Sequence, residues 1–138
     1  MSISASALTA TRVRMEVIAE NMANSNTTRT ENGDPYRRKY VVFQEKTNDS
    51  AFERFFNRAK TTAGGVRVLQ IGTDMSEFKY DYNPSHPDAD EEGYVRMPNV
   101  EVVQEMVDMM SAYRAYEANI TAINTMKDMA VKTLDIGK

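Results

Sequence analysis

Residues 99–136, NVEVVQEMVDMMSAYRAYEANITAINTMKDMAVKTLDI, decide the fold, because this stretch has neither glycine nor proline and favours one uninterrupted helix. Pro98 precedes it, Asn99 is a suitable N-cap, and Glu101 puts negative charge in the first turn. About 36 helical residues at 1.5 Å each make a rod of roughly 50 Å. A rod of this length needs a partner helix, which the small middle of the chain does not provide.

Apolar side chains recur along this helix at spacings of three and four residues, the pattern of a coiled-coil seam. The segment from Ser4 to about Met22 is also predicted to be an amphipathic helix, and it has the same spacing. We expect the two seams to pack against each other within the chain and against neighbouring subunits. The seam residues expected to form these interfaces are Leu8, Met15, Ile18, Met22, Met106, Met109, Tyr113, Tyr116, Ile120 and Ile123.

The middle of the chain is predicted to be β-rich. Strands are expected at Tyr36–Glu45, Val66–Ile71 and Glu77–Tyr82, where β-branched and aromatic residues concentrate. A short helix near residues 50–60 is indicated by a possible capping box, Ser50 with Glu53. Residues 83–93 combine prolines, glycine and acids and are predicted to form a loop. The predicted fold class is therefore α+β and mainly α, with paired terminal helices around a small β-rich middle.

Composition excludes several classes of function. The chain has 138 residues, enough for one compact domain or two small modules, and its net charge of -3 argues against nucleic acid as a partner. It has no cysteine, so disulfides, thiolate nucleophiles and cysteine-based zinc sites are excluded. No segment is long and apolar enough to span a bilayer, and the N-terminus lacks the pattern of a secretory signal. We expect a cytosolic protein or one exported without a cleavable signal.

The only features suggestive of chemistry lie in the predicted loop. His86 is the single histidine, and Asp88, Asp90, Glu92 and Gly93 match the start of an EF-hand calcium loop. The twelfth position is Asn99, where calcium needs a bidentate glutamate. A calcium-binding or hydrolytic module stays open as a weak alternative. We expect no enzyme, no catalytic or metal-binding residues, no cofactor and no small-molecule substrate, because no phosphate-binding, dinucleotide or nucleophile motif is present.

Residues 21–28, NMANSNTT, follow the first predicted helix and resemble the N-terminal signature of the bacterial flagellar axial proteins, N-x-A-N-x-x-T-x-G-Y. Four further stretches extend the likeness over nearly the whole chain: PYRRKYVVF at 35–43, NPSHPDAD at 83–90, GYVRMPNV at 93–100 and YRAYEAN at 113–119. Together they are similar to the proximal rod branch of the basal-body rod proteins. The interruption between Thr28 and Tyr36 is typical of that branch, and residues 48–62 read as a lineage-specific insertion.

The resemblance implies a non-enzymatic structural subunit of the flagellar basal body. Such proteins leave the cytoplasm through the flagellar type III export apparatus without a cleaved signal. In the periplasmic space they assemble with copies of themselves and with neighbouring rod and basal-body proteins into a rod that carries torque from motor to hook. It also implies that residues 1–30 and 98–138 pair as an axial core and that residues 31–97 form a small outer module.

The end of the first predicted helix is rich in short polar side chains. The residues expected to cap the first helix and turn the chain are Asn21, Asn24, Asn26 and Thr27, since short polar side chains compete with the helical backbone.

An alternative from a different class is a cytoplasmic helical adaptor that binds one partner helix and never polymerises. The same seams permit it, and their periodicity alone does not exclude it.

Overall fold

The computed structural model describes residues 2–46 and 64–137. In chain order they form α1 (Ser2–Ala23), β1 (Lys39–Glu45), β2 (Val66–Thr73), β3 (Lys79–Tyr82), β4 (Tyr94–Met97) and α2 (Val102–Ile136). The predicted fold class is confirmed, because two long terminal helices pack together with small antiparallel hairpins between them. The short helix predicted near residues 50–60 lies outside the described residues.

The two helices run antiparallel. Asn21, near the end of α1, contacts Glu105 at the start of α2, while Arg14, two turns earlier in α1, reaches Asp108 further along α2. With 22 residues, α1 is about 33 Å long, whereas the 35 residues of α2 make about 52 Å. The C-terminal third of α2 therefore extends beyond the start of α1, and Ile136 at its tip is exposed.

The strands form two separate antiparallel hairpins. In the first, β1 and β2 pair from Lys39 opposite Thr73 to Glu45 opposite Val66, and this hairpin packs on α1. In the second, β3 and β4 pair across the predicted loop, with Tyr82 opposite Tyr94. Gly93 adopts a φ of 85° just before β4, which explains a glycine at this turn.

Two strand predictions need correction. The sequence pattern gives no strand at Tyr94–Met97, where the structure has β4, since four residues after a glycine carry too little periodicity to be recognised. The first strand begins at Lys39 and not at Tyr36. The reason is that the Tyr36 amide donates to the Thr27 carbonyl and the Arg38 amide donates to the Asn99 side chain, so neither is available to a neighbouring strand.

The predicted N-cap of the last helix is also wrong. Glu101 occupies the N-cap position of α2 and makes no side-chain capping bond. Asn99 instead accepts the Arg38 amide with its Oδ1 at 2.8 Å, and its Nδ2 donates to the Asp74 carbonyl and to Ser76 Oγ. This asparagine therefore holds together the segment before β1, the β2–β3 connection and the approach to α2.

Few large apolar side chains are completely buried in the part of the chain that the structure describes. Its buried apolar residues are Ala10, Val17, Ile18, Tyr36, Val95, Val100 and Ala112. Ala112 is the buried apolar residue of α2, while many large apolar side chains of that helix are exposed. On α2, the contact with α1 thus combines one small, buried residue with larger side chains that are only half-buried.

Candidate assembly surface and the polar cluster behind it

A polar cluster lies where α1, β1 and α2 meet, and we define it as Asn21, Tyr36, Arg38, Lys39 and Glu105. Asn21 is fully buried and uses both ends of its amide. Its Nδ2 donates to the Lys39 carbonyl at 2.8 Å and to Glu105 Oε2 at 3.1 Å. Its Oδ1 accepts from Tyr36 Oη at 3.0 Å and from the Lys39 amide at 2.9 Å. One side chain therefore joins three elements.

Glu105 is the acidic member of the cluster, and its side chain is fully buried. Arg38 Nε donates to Glu105 Oε1 at 2.6 Å, so the two carboxylate oxygens face different donors, Arg38 and Asn21. Among the described residues, no buried side-chain nitrogen or oxygen lacks a hydrogen-bond partner. A buried carboxylate is tolerated only under such conditions, because the loss of hydration must be offset by an opposite charge and by donors.

The surroundings of Tyr36 in the polar cluster raise the pKa of its phenol. Burial, together with the nearby carboxylates of Glu20 and Glu105, raises the pKa of its phenol to about 12. The phenol therefore stays protonated and donates to Asn21 Oδ1. Lys39 lies 5.8 Å from the centre of the Tyr36 ring and pairs with Glu20 of α1.

Weaker ion pairs surround the cluster. Asp108 lies 3.7 Å from the Arg38 guanidinium and 3.8 Å from that of Arg14. These partly exposed pairs contribute little to stability, about 0 to 1 kcal/mol each. Through Asp108 they link α1 to α2 about one turn beyond Glu105.

The sequence pattern does not single out Glu105, Arg38 or Tyr36. A signal for one of them exists, because Glu105 precedes Met109, Ala112 and Tyr116 at spacings of four, three and four residues. An acid on an otherwise apolar stripe indicates a buried partner. Nothing local identifies that partner, since Arg38 is separated from Glu105 by 67 positions.

The structure divides the predicted seam residues of α2 between two faces. Met109, Tyr116 and Ile123 are half-buried, and they lie on the side of the helix that carries the buried Glu105 and Ala112. Met106, Tyr113 and Ile120 lie on another side of α2 and are exposed. In α1, Ile18 is buried, and the half-buried seam residues are Leu8, Met15 and Met22.

The exposed side of α2 forms a second apolar surface, which we name the outer stripe. Its side chains are between 37% and 69% exposed. They recur at helical spacing along about five turns. The members of the outer stripe are Val103, Met106, Val107, Met110, Tyr113 and Ile120.

The predicted turn residues have separate positions. Asn24 Nδ2 donates to the Glu20 carbonyl, and Thr27 Oγ1 donates to Asn24 Oδ1, so both lie in the turn that follows α1. Asn26 is exposed in the same turn. Asn21 is still inside α1, and its side chain points into the polar cluster.

Internal contacts engage the loop residues considered for chemistry. Asp88 accepts from Thr28 Oγ1 and pairs with Arg29, while Asp90 Oδ1 accepts the amides of Glu92 and Tyr94. His86 Nδ1 accepts the amide of Asp88. Across residues 2–46 and 64–137, no group of three or more acids and histidines is arranged to hold a metal ion.

Known protein families match both helical ends of the chain. The family described as "Flagella basal body rod protein" matches residues 1–29, and "Flagellar basal body rod FlgEFG protein C-terminal" matches residues 91–136. The flagellar basal-body rod protein FlgC of Bacillus subtilis is 48% identical, over 100% of this chain and 96% of that protein. The chain belongs to the FlgC family of flagellar basal-body rod proteins.

Other FlgC relatives extend over the same length. FlgC of Borreliella burgdorferi is 44% identical and FlgC of Escherichia coli is 43% identical, each over 99% of this chain and 94% of the relative. The resemblance identified from the sequence motifs is thereby confirmed. FlgC family membership makes the chain a structural component of the basal-body rod and not an enzyme, and it implies assembly with other rod components. Within the described part of the chain, no helix has the length and apolar character to cross a membrane.

Proposed function

We propose that this rod protein assembles with further copies of itself and with neighbouring rod and basal-body proteins into a helical shaft that transmits torque from motor to hook. Residues 1–30 and 98–138 build the axial core of that shaft, and residues 31–97 form its outer module. Heterologous contacts that do not close into a ring generate a helical array. The protein reaches the periplasmic space through the flagellar type III export apparatus without losing a signal peptide.

The outer stripe is the observation that carries this proposal. An apolar row on a helix that already has one partner helix favours a second helical neighbour, because contiguous exposed apolar surface marks interaction sites. The methionines in the stripe adapt to neighbours of different shape, which suits a subunit with more than one kind of contact.

The predicted packing residues take two roles in this proposal. The first group packs α1 against α2 within one subunit and consists of Leu8, Met15, Ile18, Met22, Met109, Tyr116 and Ile123. The second group contacts neighbouring subunits and consists of Met106, Tyr113 and Ile120. Asn24, Asn26 and Thr27 turn the chain after α1, and Asn21 joins α1 to β1 and α2.

A charge placed in the outer stripe tests the assembly role. Tyr113→Glu puts a carboxylate at an exposed position, so the purified chain should melt as before, while cells should lose swimming and basal bodies should lack the protein. Ser111→Glu is the matched control, because Ser111 is exposed on a different side of the same helix. Normal swimming with Tyr113→Glu, or equal loss with both variants, contradicts the proposed role of the stripe.

Fractionation separates the rod subunit from the adaptor alternative. A rod subunit should be recovered in detergent-resistant basal bodies, whereas an adaptor should stay in the soluble cytoplasm. N-terminal sequencing of the protein from basal bodies tests the export route. A chain that begins at Met1 or Ser2 supports export without cleavage, and a chain shortened within α1 contradicts it.

A further inference from the structure

We propose that the polar cluster acts as a register lock, which fixes how far α1 and α2 slide along each other and thereby sets where the outer stripe is presented. The proposal rests on the proposed function only for the role of the stripe. The lock itself is a property of the single chain. Its central contact joins Asn21 and Glu105, two fully buried polar side chains on the two helices.

The buried ion pair of the lock is better suited to selecting one alignment than to adding stability. A buried carboxylate paired with an arginine is often no more stabilising than apolar residues of the same size, because desolvation of the charges offsets their attraction. Such pairs are best explained where they select one arrangement among several, as a buried asparagine does in coiled coils. Glu105 and Arg38 form a pair of this kind, with Arg38 at the edge of the cluster and Glu105 at its centre.

The polar contacts of the lock restrict sliding of the two helices more than the apolar contacts around them do. Apolar contacts are not directional, and half-buried methionines such as Met22 and Met109 adapt to shifted neighbours. The hydrogen bonds of Asn21 and Glu105 exist in one alignment only. A slip of α2 by one turn toward its N-terminus would put Met109 in the place of Glu105, so Asn21 and Arg38 would lose their shared acceptor.

The lock also holds β1 and the segment that precedes α2. The backbone of Lys39 bonds Asn21 in both directions, through its amide and its carbonyl. The Arg38 side chain bonds Glu105 while its amide bonds Asn99 ahead of α2. A single alignment of the helices is therefore coupled to a single position of the β1–β2 hairpin.

The experiment measures the distance between two spin labels on the purified full-length chain, which has no native cysteine. Ala19→Cys on α1 and Ala118→Cys on α2 are exposed positions, offset along the helix axis so that sliding changes their separation. The test variant is Arg38→Met with Glu105→Leu, which replaces both charges by apolar groups. The matched control is Ile18→Val, which weakens apolar packing and leaves the cluster intact.

We expect one narrow distance in the unsubstituted chain and in Ile18→Val. In the double variant, the melting temperature should be retained within a few degrees, and the distribution should broaden or gain a second distance displaced by about one turn, roughly 5 Å. An unchanged narrow distance in the double variant overturns the lock, and so does a broad distribution in the unsubstituted chain. Neither result bears on assembly through the outer stripe, which the swimming phenotype of Tyr113→Glu tests separately.

Should the double variant not fold, Glu105→Gln provides the same readout. Glutamine keeps the shape of the side chain, but Arg38 and Asn21 donate to different oxygens of Glu105, so the glutamine NH2 group would replace one acceptor and face a donor. Its distance distribution should be broader than that of Ile18→Val. A distribution as narrow as the control overturns the inference.

Discussion

The two faces of α2 differ in how completely the chain itself buries them. On the face toward α1, Glu105 and Ala112 are buried, and Met109, Tyr116 and Ile123 are half-buried. The outer stripe on the other side has valines, methionines and tyrosine, and these large apolar side chains are exposed. A helix that served only its own chain would leave fewer large apolar side chains exposed in one row.

One face determines how the two helices align, whereas the other supplies free energy for association with a neighbour. The buried polar contacts between α1 and α2 define one alignment of the chain with itself, at modest net gain in stability. Large apolar residues on the open face provide about 25 cal/mol for each square ångström buried when a neighbour covers them. The subunit therefore holds much of its unused stabilisation for assembly, as a rod component of the FlgC family requires.

The largest expected effect comes from a charge placed where α1 packs against α2. Ile18→Asp buries an unpaired carboxylate where Ile18 is 5% exposed, and we expect it to destabilise the pair by about 4 kcal/mol or more and to abolish swimming. Ile120→Asp is the matched change on the open side. It should leave thermal melting nearly unchanged and still abolish swimming. Equal melting of both variants would erase the distinction between the faces, as would normal motility of both.

The next effect comes from loss of one partner in the polar cluster. Glu105→Ala leaves Arg38 without its main acceptor and Asn21 with one donor bond fewer, so we expect a loss of about 3 kcal/mol in urea unfolding. Asp108→Ala is the control, because Asp108 is partly exposed and its ion pairs are long. That variant should lose less than about 1 kcal/mol. Similar losses in the two variants contradict the special position of Glu105.

The helices were predictable from sequence because their signals are local. Spacings of three and four residues and the absence of glycine and proline over 99–136 suffice to define α2 and to require a partner helix. Two of the strands were also recognised within a few residues, at Val66–Thr73 and Lys79–Tyr82. The β4 strand was missed because four residues carry too little pattern.

The polar cluster was not predictable, because its members are far apart in the chain. Asn21 and Glu105 are separated by 84 positions, and Asn21 in the motif is read locally as a helix-end residue. Asn99 illustrates the same limit, since an asparagine before a helix suggests an N-cap, while its contacts lie 61 positions away at Arg38. Local propensity describes what a polar side chain can do. Tertiary contacts decide what it does.

The smallest expected effect concerns the hydroxyl of Tyr36. Tyr36→Phe removes one hydrogen bond to Asn21 Oδ1, while the Lys39 amide still donates to that oxygen. We therefore expect a loss of about 1 kcal/mol in urea unfolding below pH 10, with the helix pair intact. A much larger loss would mean that the hydroxyl, and not the ion pair, dominates the cluster.

The unsubstituted chain and Tyr36→Phe should also differ in how their stability depends on pH. Because the pKa of Tyr36 is raised from 10.0 to about 12 in the folded chain, the unfolded chain releases this proton first as pH rises. The folded state then holds more protons than the unfolded state, so stability falls with increasing pH between 10 and 12. The Phe variant lacks this dependence, so the advantage of the unsubstituted chain should shrink across that interval. A constant difference in unfolding free energy would show that the phenol is not held in the closed cluster.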